Sequence, residues 1–181
     1  YRKTRVRPES GMEVHGMISL VRIDGRLVHG MVAVSWMGEV NPDTFVVVSD
    51  RAANDPFETM TLKLAKPANA DMFVWDKAKA VERLNSPKYE KKKIFVVVGN
   101  VYDAEYLFDN VPGIPRLNVG PPLDEKAGRI TEGKKEVVNV YISPEEFEVL
   151  KRIHDKGVEV FAQITPTVSK AGWEEIAGKF K

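Results

Sequence analysis

Between Arg22 and Gly30 the chain gathers two arginines, an aspartate, a histidine and two glycines, a combination that could do chemistry on an anion. An imidazole titrates at roughly pH 6.5, so His29 can be nucleophile, acid or base near neutrality. It stands five residues after Asp24 and three after Arg26. Arginine presents a planar fork that holds two phosphate oxygens at once, which makes a phosphoryl group the best-matched anion. In this reading His29 attacks phosphorus through one ring nitrogen while a hydrogen bond at the other fixes the tautomer. Arg26 neutralises the equatorial oxygens, with Arg22 or Arg51 as helpers, and Asp24 orients His29 or Arg26. Gly25 would let the loop turn sharply, and Gly30 would let backbone N–H groups approach the anion at a helix start. Against this stands the plainer fact that a lone histidine beside charges is more often a surface or capping residue.

Such a cluster needs a frame, and the apolar pattern supplies one. Short β-branched or apolar runs alternate with amphipathic stretches, which is the mark of βα units. Strands are expected over residues 17–23, 44–49, 72–75, 94–98, 116–119, 137–142 and 158–163. Helices are expected from residue 29 or 30 to 40 and over 55–65, 77–84, 102–110, 144–156 and 169–180. The helix from Pro144 has the fullest local signals: Ser143 as N-cap, proline at its first position, Glu145 and Glu146 in the first turn, and Gly157 as a stop. The pattern predicts a single open three-layer α/β domain. Its mostly parallel central sheet would have about six or seven strands, with helices on both faces. Ligands in such sheets bind beyond the carboxyl ends of the strands, where the segment from Arg22 to Gly30 leaves the first strand. Residues 121–136, charged and with two glycines, read as a hairpin or a mobile loop.

Composition narrows the function. Hydrophobic residues at 43% and charged ones at 29% describe a globular chain, and 181 residues suit one domain rather than two. No apolar run approaches the roughly 18 to 20 residues of a membrane helix. The absence of cysteine removes disulfides, thiolate chemistry and cysteine-ligated metals. Lys91, Lys92 and Lys93 form the only basic run, so nucleic acid is not an expected partner. Neither a nucleotide loop nor a metal-ligand motif occurs, and no cofactor is called for. Residues 1–16 carry no apolar period and are expected to be an appended or disordered leader, with the domain over 17–181. His15 falls in that leader, and His154 lies near the end of the Pro144 helix; neither is assigned chemistry.

The stretch Ile18-Ser-Leu-Val-Arg-Ile-Asp-Gly-Arg-Leu-Val-His-Gly-Met-Val-Ala-Val-Ser-Trp36 resembles the opening of the IIB domains of the mannose/sorbose family of the bacterial phosphoenolpyruvate-dependent sugar phosphotransferase system. The likeness continues through Val47 to Asp50, Ala53 to Asp55, Val96 to Val98 and Leu117 to Gly120. It implies a phosphocarrier that accepts a phosphoryl group from a IIA phosphohistidine and passes it to a sugar held by membrane IIC and IID subunits. It puts the phosphorylated histidine, modified on Nδ1, at His29 and the essential loop arginine at Arg26. It also implies a mostly parallel sheet with at least one antiparallel strand, no cofactor or metal, and a cytoplasmic protein peripherally associated with the permease. Val28 and Met31 would contribute apolar surface to the IIA interface around His29. A homodimer is compatible with the pattern. Three departures stand out: Met31 where the family usually has Gln, Gly25 where it commonly has a second Asp, and Gly120-Pro-Pro122 in place of a glycine-methionine continuation. They keep open an alternative, a regulatory phosphohistidine module that does not phosphorylate sugar.

Overall fold

The computed structural model describes residues 18–121 and 132–181. In chain order its elements are β1 (Ile18–Ile23), α1 (Gly30–Val40), β2 (Thr44–Val48), α2 (Asp50–Asn54), α3 (Pro56–Leu64), β3 (Asp71–Trp75), α4 (Lys77–Leu84) and β4 (Ile94–Val98). There follow α5 (Val101–Asn110), β5 (Arg116–Val119), β6 (Lys135–Val137), β7 (Val140–Ile142), α6 (Pro144–His154), β8 (Glu159–Ala162) and α7 (Trp173–Gly178). The expected leader lies outside the described residues, as does the segment 122–131.

Six strands form one sheet in the order β3-β2-β4-β1-β5-β8, with every pair parallel. β2 and β4 are buried along their whole length, as their unbroken apolar runs require when both sheet faces are covered. One face packs Leu20, Phe45 and Phe95 against Trp36 of α1, Ala52 of α2 and Leu62 of α3. The other packs strand residues such as Val21, Val96 and Leu117 beneath α4, α5, α6 and α7. This is the predicted three-layer α/β arrangement.

The connection leaving β1 therefore runs over one face, and the one leaving β4 runs over the other. β1 and β4 are neighbours, so a crevice opens between their carboxyl ends, the place where open α/β sheets bind ligands.

Local departures from the expected elements have identifiable causes. The run 137–142 is not a sheet strand. Val138 and Asn139 take positive φ, 44° and 65°, as a two-residue hairpin turn demands, and the run folds into the antiparallel pair β6 and β7 apart from the central sheet. Antiparallel pairing among the described residues is confined to that hairpin and a single bridge between Ala162 and Ala171. The helical stretch from residue 55 is preceded by a separate short helix, because Asp55 caps a new start with Pro56 at its first position. On α6 the capping box forms as the sequence suggests: Ser143 accepts from the Glu146 N–H and the Glu146 carboxylate accepts from the Ser143 N–H.

Candidate functional site

Asp24 is the hub of the loop between β1 and α1. Its carboxylate is fully buried, with Oδ2 accepting from Arg22 Nη2 at 2.9 Å and Oδ1 from the Arg26 backbone N–H at 3.0 Å. Arg26 Nε stands 3.7 Å from Oδ1, its side chain half-exposed. His29 Nε2 lies 3.8 Å from Oδ2, too long for a hydrogen bond yet close enough for charge to matter. One buried carboxylate thus faces two guanidinium groups and an imidazole.

The loop owes its shape to apolar burial more than to glycine. Leu27 adopts a left-handed φ of 60° and is buried with Val28, while Gly25 keeps φ outside the positive region. The Gly25 N–H donates to the Pro121 carbonyl at 3.0 Å, and the Asp24 N–H donates to Val98 at 2.9 Å. The segment is thereby tied to both neighbouring strand ends. His29 occupies the N-cap position of α1, but its side chain makes no capping hydrogen bond. Gly30 opens the helix onto free space, and no acidic residue stands in the first turn. The first N–H groups of α1 therefore offer an anion the positive end of a helix, with no carboxylate in its first turn.

The imidazole is partly sheltered. Nε2 is closed off from solvent and has no neighbour in hydrogen-bond reach, while the side chain as a whole is 27% exposed. A carboxylate only accepts, so the Asp24 charge favours the tautomer with the proton on Nε2 and the lone pair on Nδ1. Burial pulls the His29 pKa below the ordinary 6.5, Arg26 pulls it further, and Asp24 opposes them. The ring is accordingly neutral, and nucleophilic, at neutral pH.

Arg22 does not reach the open face of the loop as a helper for phosphate. It is 1% exposed and turned inward, with Nη1 donating to the Asn118 side-chain oxygen and, at 3.1 Å, to the Gln163 carbonyl. Its guanidinium lies 5.2 Å from the centre of the Trp36 ring. Gly120 leaves room for it: a Cβ there would come within 2.7 Å of the Arg22 guanidinium carbon and 2.6 Å of the Ile23 carbonyl oxygen. Arg51 instead pairs with Glu58 at 2.7 Å and lines a crevice of about 320 Å³ that it shares with Gly25, Leu27, Ser49, Gly99 and Asn100. Residue spacing did not reveal Asn118 or the Gln163 carbonyl as part of the cluster. A polar residue between Leu117 and Val119 in a buried strand was the available signal for Asn118.

The family described as PTS system sorbose subfamily IIB component matches residues 18–181. The chain belongs to that family. A probable phosphotransferase enzyme IIB component of Streptococcus pyogenes serotype M6 is 32% identical over 160 residues, which are 85% of this chain and 95% of that protein. The mannose-specific EIIAB component of Escherichia coli K12 is 30% identical over 164 residues, 90% of this chain but 49% of that longer protein. The chain thus spans about half the length of that relative. The IIBSor domain of the sorbose permease from Klebsiella pneumoniae shares the fold, with a TM-score of 0.77 at 24% identity over 89% of this chain and 96% of that one.

As a IIB component the chain is a phosphotransferase that receives a phosphoryl group from IIA and passes it to sugar, working with IIA and membrane IIC/IID. Among the described residues no helix is long and apolar enough to cross a membrane, and no cluster of potential metal ligands occurs.

Proposed function

We propose that His29 is the phosphoryl acceptor of this IIB component and that Nδ1 is the attacking atom. The observation that supports it best is the placing of the ring, with Nε2 sealed from solvent against buried Asp24 while the side chain stays partly exposed at the N-terminus of α1. The Nδ1 lone pair forms the new N–P bond while the P–N bond in the IIA phosphohistidine breaks, its electron pair returning to the IIA imidazole. As that happens the His29 ring, still carrying its proton on Nε2, becomes an imidazolium. Asp24 Oδ2 is the counter-charge that stabilises it. Arg26 and the N–H groups at the head of α1, opened by Gly30, hold the equatorial oxygens. Gly25 anchors the loop through Pro121.

The IIA surface is proposed to seat around His29 on Met31 and Val34, 64% and 75% exposed at the start of α1; Val28 is buried and contributes to the loop, not to the interface. Residues 17–181 form the working unit, active on the cytoplasmic side of the permease. The test is labelling: incubation with phosphoenolpyruvate, enzyme I, HPr and the matching IIA should place one acid-labile phosphoryl group on wild type and none on His29→Ala. Label that survives His29→Ala ends this assignment.

A further inference from the structure

Asp24 can orient His29 only if something orients Asp24. The torsion that turns a carboxylate about its Cβ–Cγ bond is broad and weakly restrained on its own. Here Arg22 Nη2 holds Oδ2 at 2.9 Å, and the Arg26 backbone N–H holds Oδ1 at 3.0 Å. The Arg26 N–H belongs to the same loop and moves with it. Arg22 does not, because its Nη1 is bound to the Asn118 side chain on β5 and to the Gln163 carbonyl just beyond β8. Asn118 Nδ2 donates to that same carbonyl at 3.1 Å, which closes the triangle. The Trp36 ring lies 5.2 Å from the guanidinium, and the bare Cα of Gly120 leaves the room it occupies.

We infer that Arg22 is a positioning residue for phosphoryl transfer: anchored on Asn118 and the Gln163 carbonyl, it sets the rotation of Asp24 so that Oδ2 faces His29 Nε2 and fixes the ring with Nδ1 outward. This rests on the reading of His29 as acceptor. The same contact has an electrostatic side. A bare carboxylate buried behind the ring would repel an incoming phosphoryl dianion, and the Arg22 charge, held one hydrogen bond away, offsets part of that repulsion. Lysine would keep the charge, but it cannot hold Asp24, Asn118 and a carbonyl in one planar fork.

The experiment is nitrogen-15 NMR of the imidazoles, paired with the rate of labelling by phospho-IIA. Wild-type His29, in its neutral form, should be the Nε2–H tautomer; a wild-type Nδ1–H tautomer overturns the inference at once. In Arg22→Lys the two tautomers should mix and labelling should slow about tenfold, with the final extent unchanged because the acceptor is still present. Asn118→Ala, which removes one of the two acceptors of Nη1 but keeps the arginine, should shift the tautomer ratio in the same direction by a smaller amount, and it serves if Arg22→Lys does not fold. Wild-type tautomer and rate in whichever variant folds overturn the role of Arg22 while leaving His29 in place. Label surviving His29→Ala would instead remove the reading beneath it.

Discussion

The two histidines among the described residues make a close comparison. His29 Nε2 is 3.8 Å from Asp24, and His154 Nδ1 is 3.7 Å from Asp155. In each ring one nitrogen is closed off from solvent without a hydrogen-bond partner. The surroundings separate them. Asp24 is fully buried and held by Arg22 and the loop backbone, whereas Asp155 is exposed and shared with Lys151. His154 lies flat on Trp173, ring centres 4.3 Å apart, at the end of a column that runs on through Phe147 to Phe180. It ends α6, so an added phosphate would meet the negative pole of a helix, while His29 precedes α1 and would offer one the positive pole. A carboxylate at 4 Å does not make a histidine into a site. The proposal for His29 rests instead on a buried, oriented carboxylate and the right end of a helix.

The sharpest way to break the comparison is to neutralise each carboxylate. Asp24→Asn leaves Arg22 buried without its counter-charge and should cost about 3–5 kcal/mol. Asp155→Asn should stay within about 0.5 kcal/mol. Denaturant unfolding measures both, and equal losses would erase the distinction. Next in size is the neighbouring arginine. Arg26→Ala should slow labelling about a hundredfold, close to 3 kcal/mol of transition-state stabilisation, with the fold kept. Arg152→Ala, two residues before His154 in the chain, removes the ion pair to Glu105 and should leave the labelling rate as it is. A smaller effect belongs to the stack: His154→Ala should lower stability by about 1 kcal/mol, seen in thermal unfolding, without touching label.

The smallest expected effect is in pH dependence. Because burial and Arg26 depress the His29 pKa, transfer should hold as pH falls to 6.5 and decline only through the lower folded-state value. The unfolded chain takes up that proton first, so the stability His29 contributes is complete above about pH 6.5 and is lost as pH falls from there toward the folded pKa. A pH–rate profile of phospho-IIA consumption that bends at or above 6.5 would contradict the depressed value.

Much of this was legible in the residues. Continuous apolar runs at Phe45 to Val48 and Ile94 to Val98 announce strands covered on both faces, and Ser143-Pro-Glu-Glu146 announces the start of α6. Arg22, Asp24, Arg26 and His29 lie on one strand end and its loop, so spacing alone brings them forward. Two things escaped. Val137 to Ile142 has the composition of a strand, and only the positive φ values of Val138 and Asn139 turn it into a hairpin, a shape that valine does not advertise. The inward turn of Arg22 depends on partners 96 and 141 residues away, beyond any local pattern.

Leu27 and Val28 have a kinetic consequence. Both are buried in the core that Trp36 and Phe95 share, so the backbone between Asp24 and His29 is ordered when the protein folds. The loop therefore needs no folding step of its own before a donor can dock. Each handover then meets a loop whose ordering entropy was lost once, at folding, and is not lost again at every encounter.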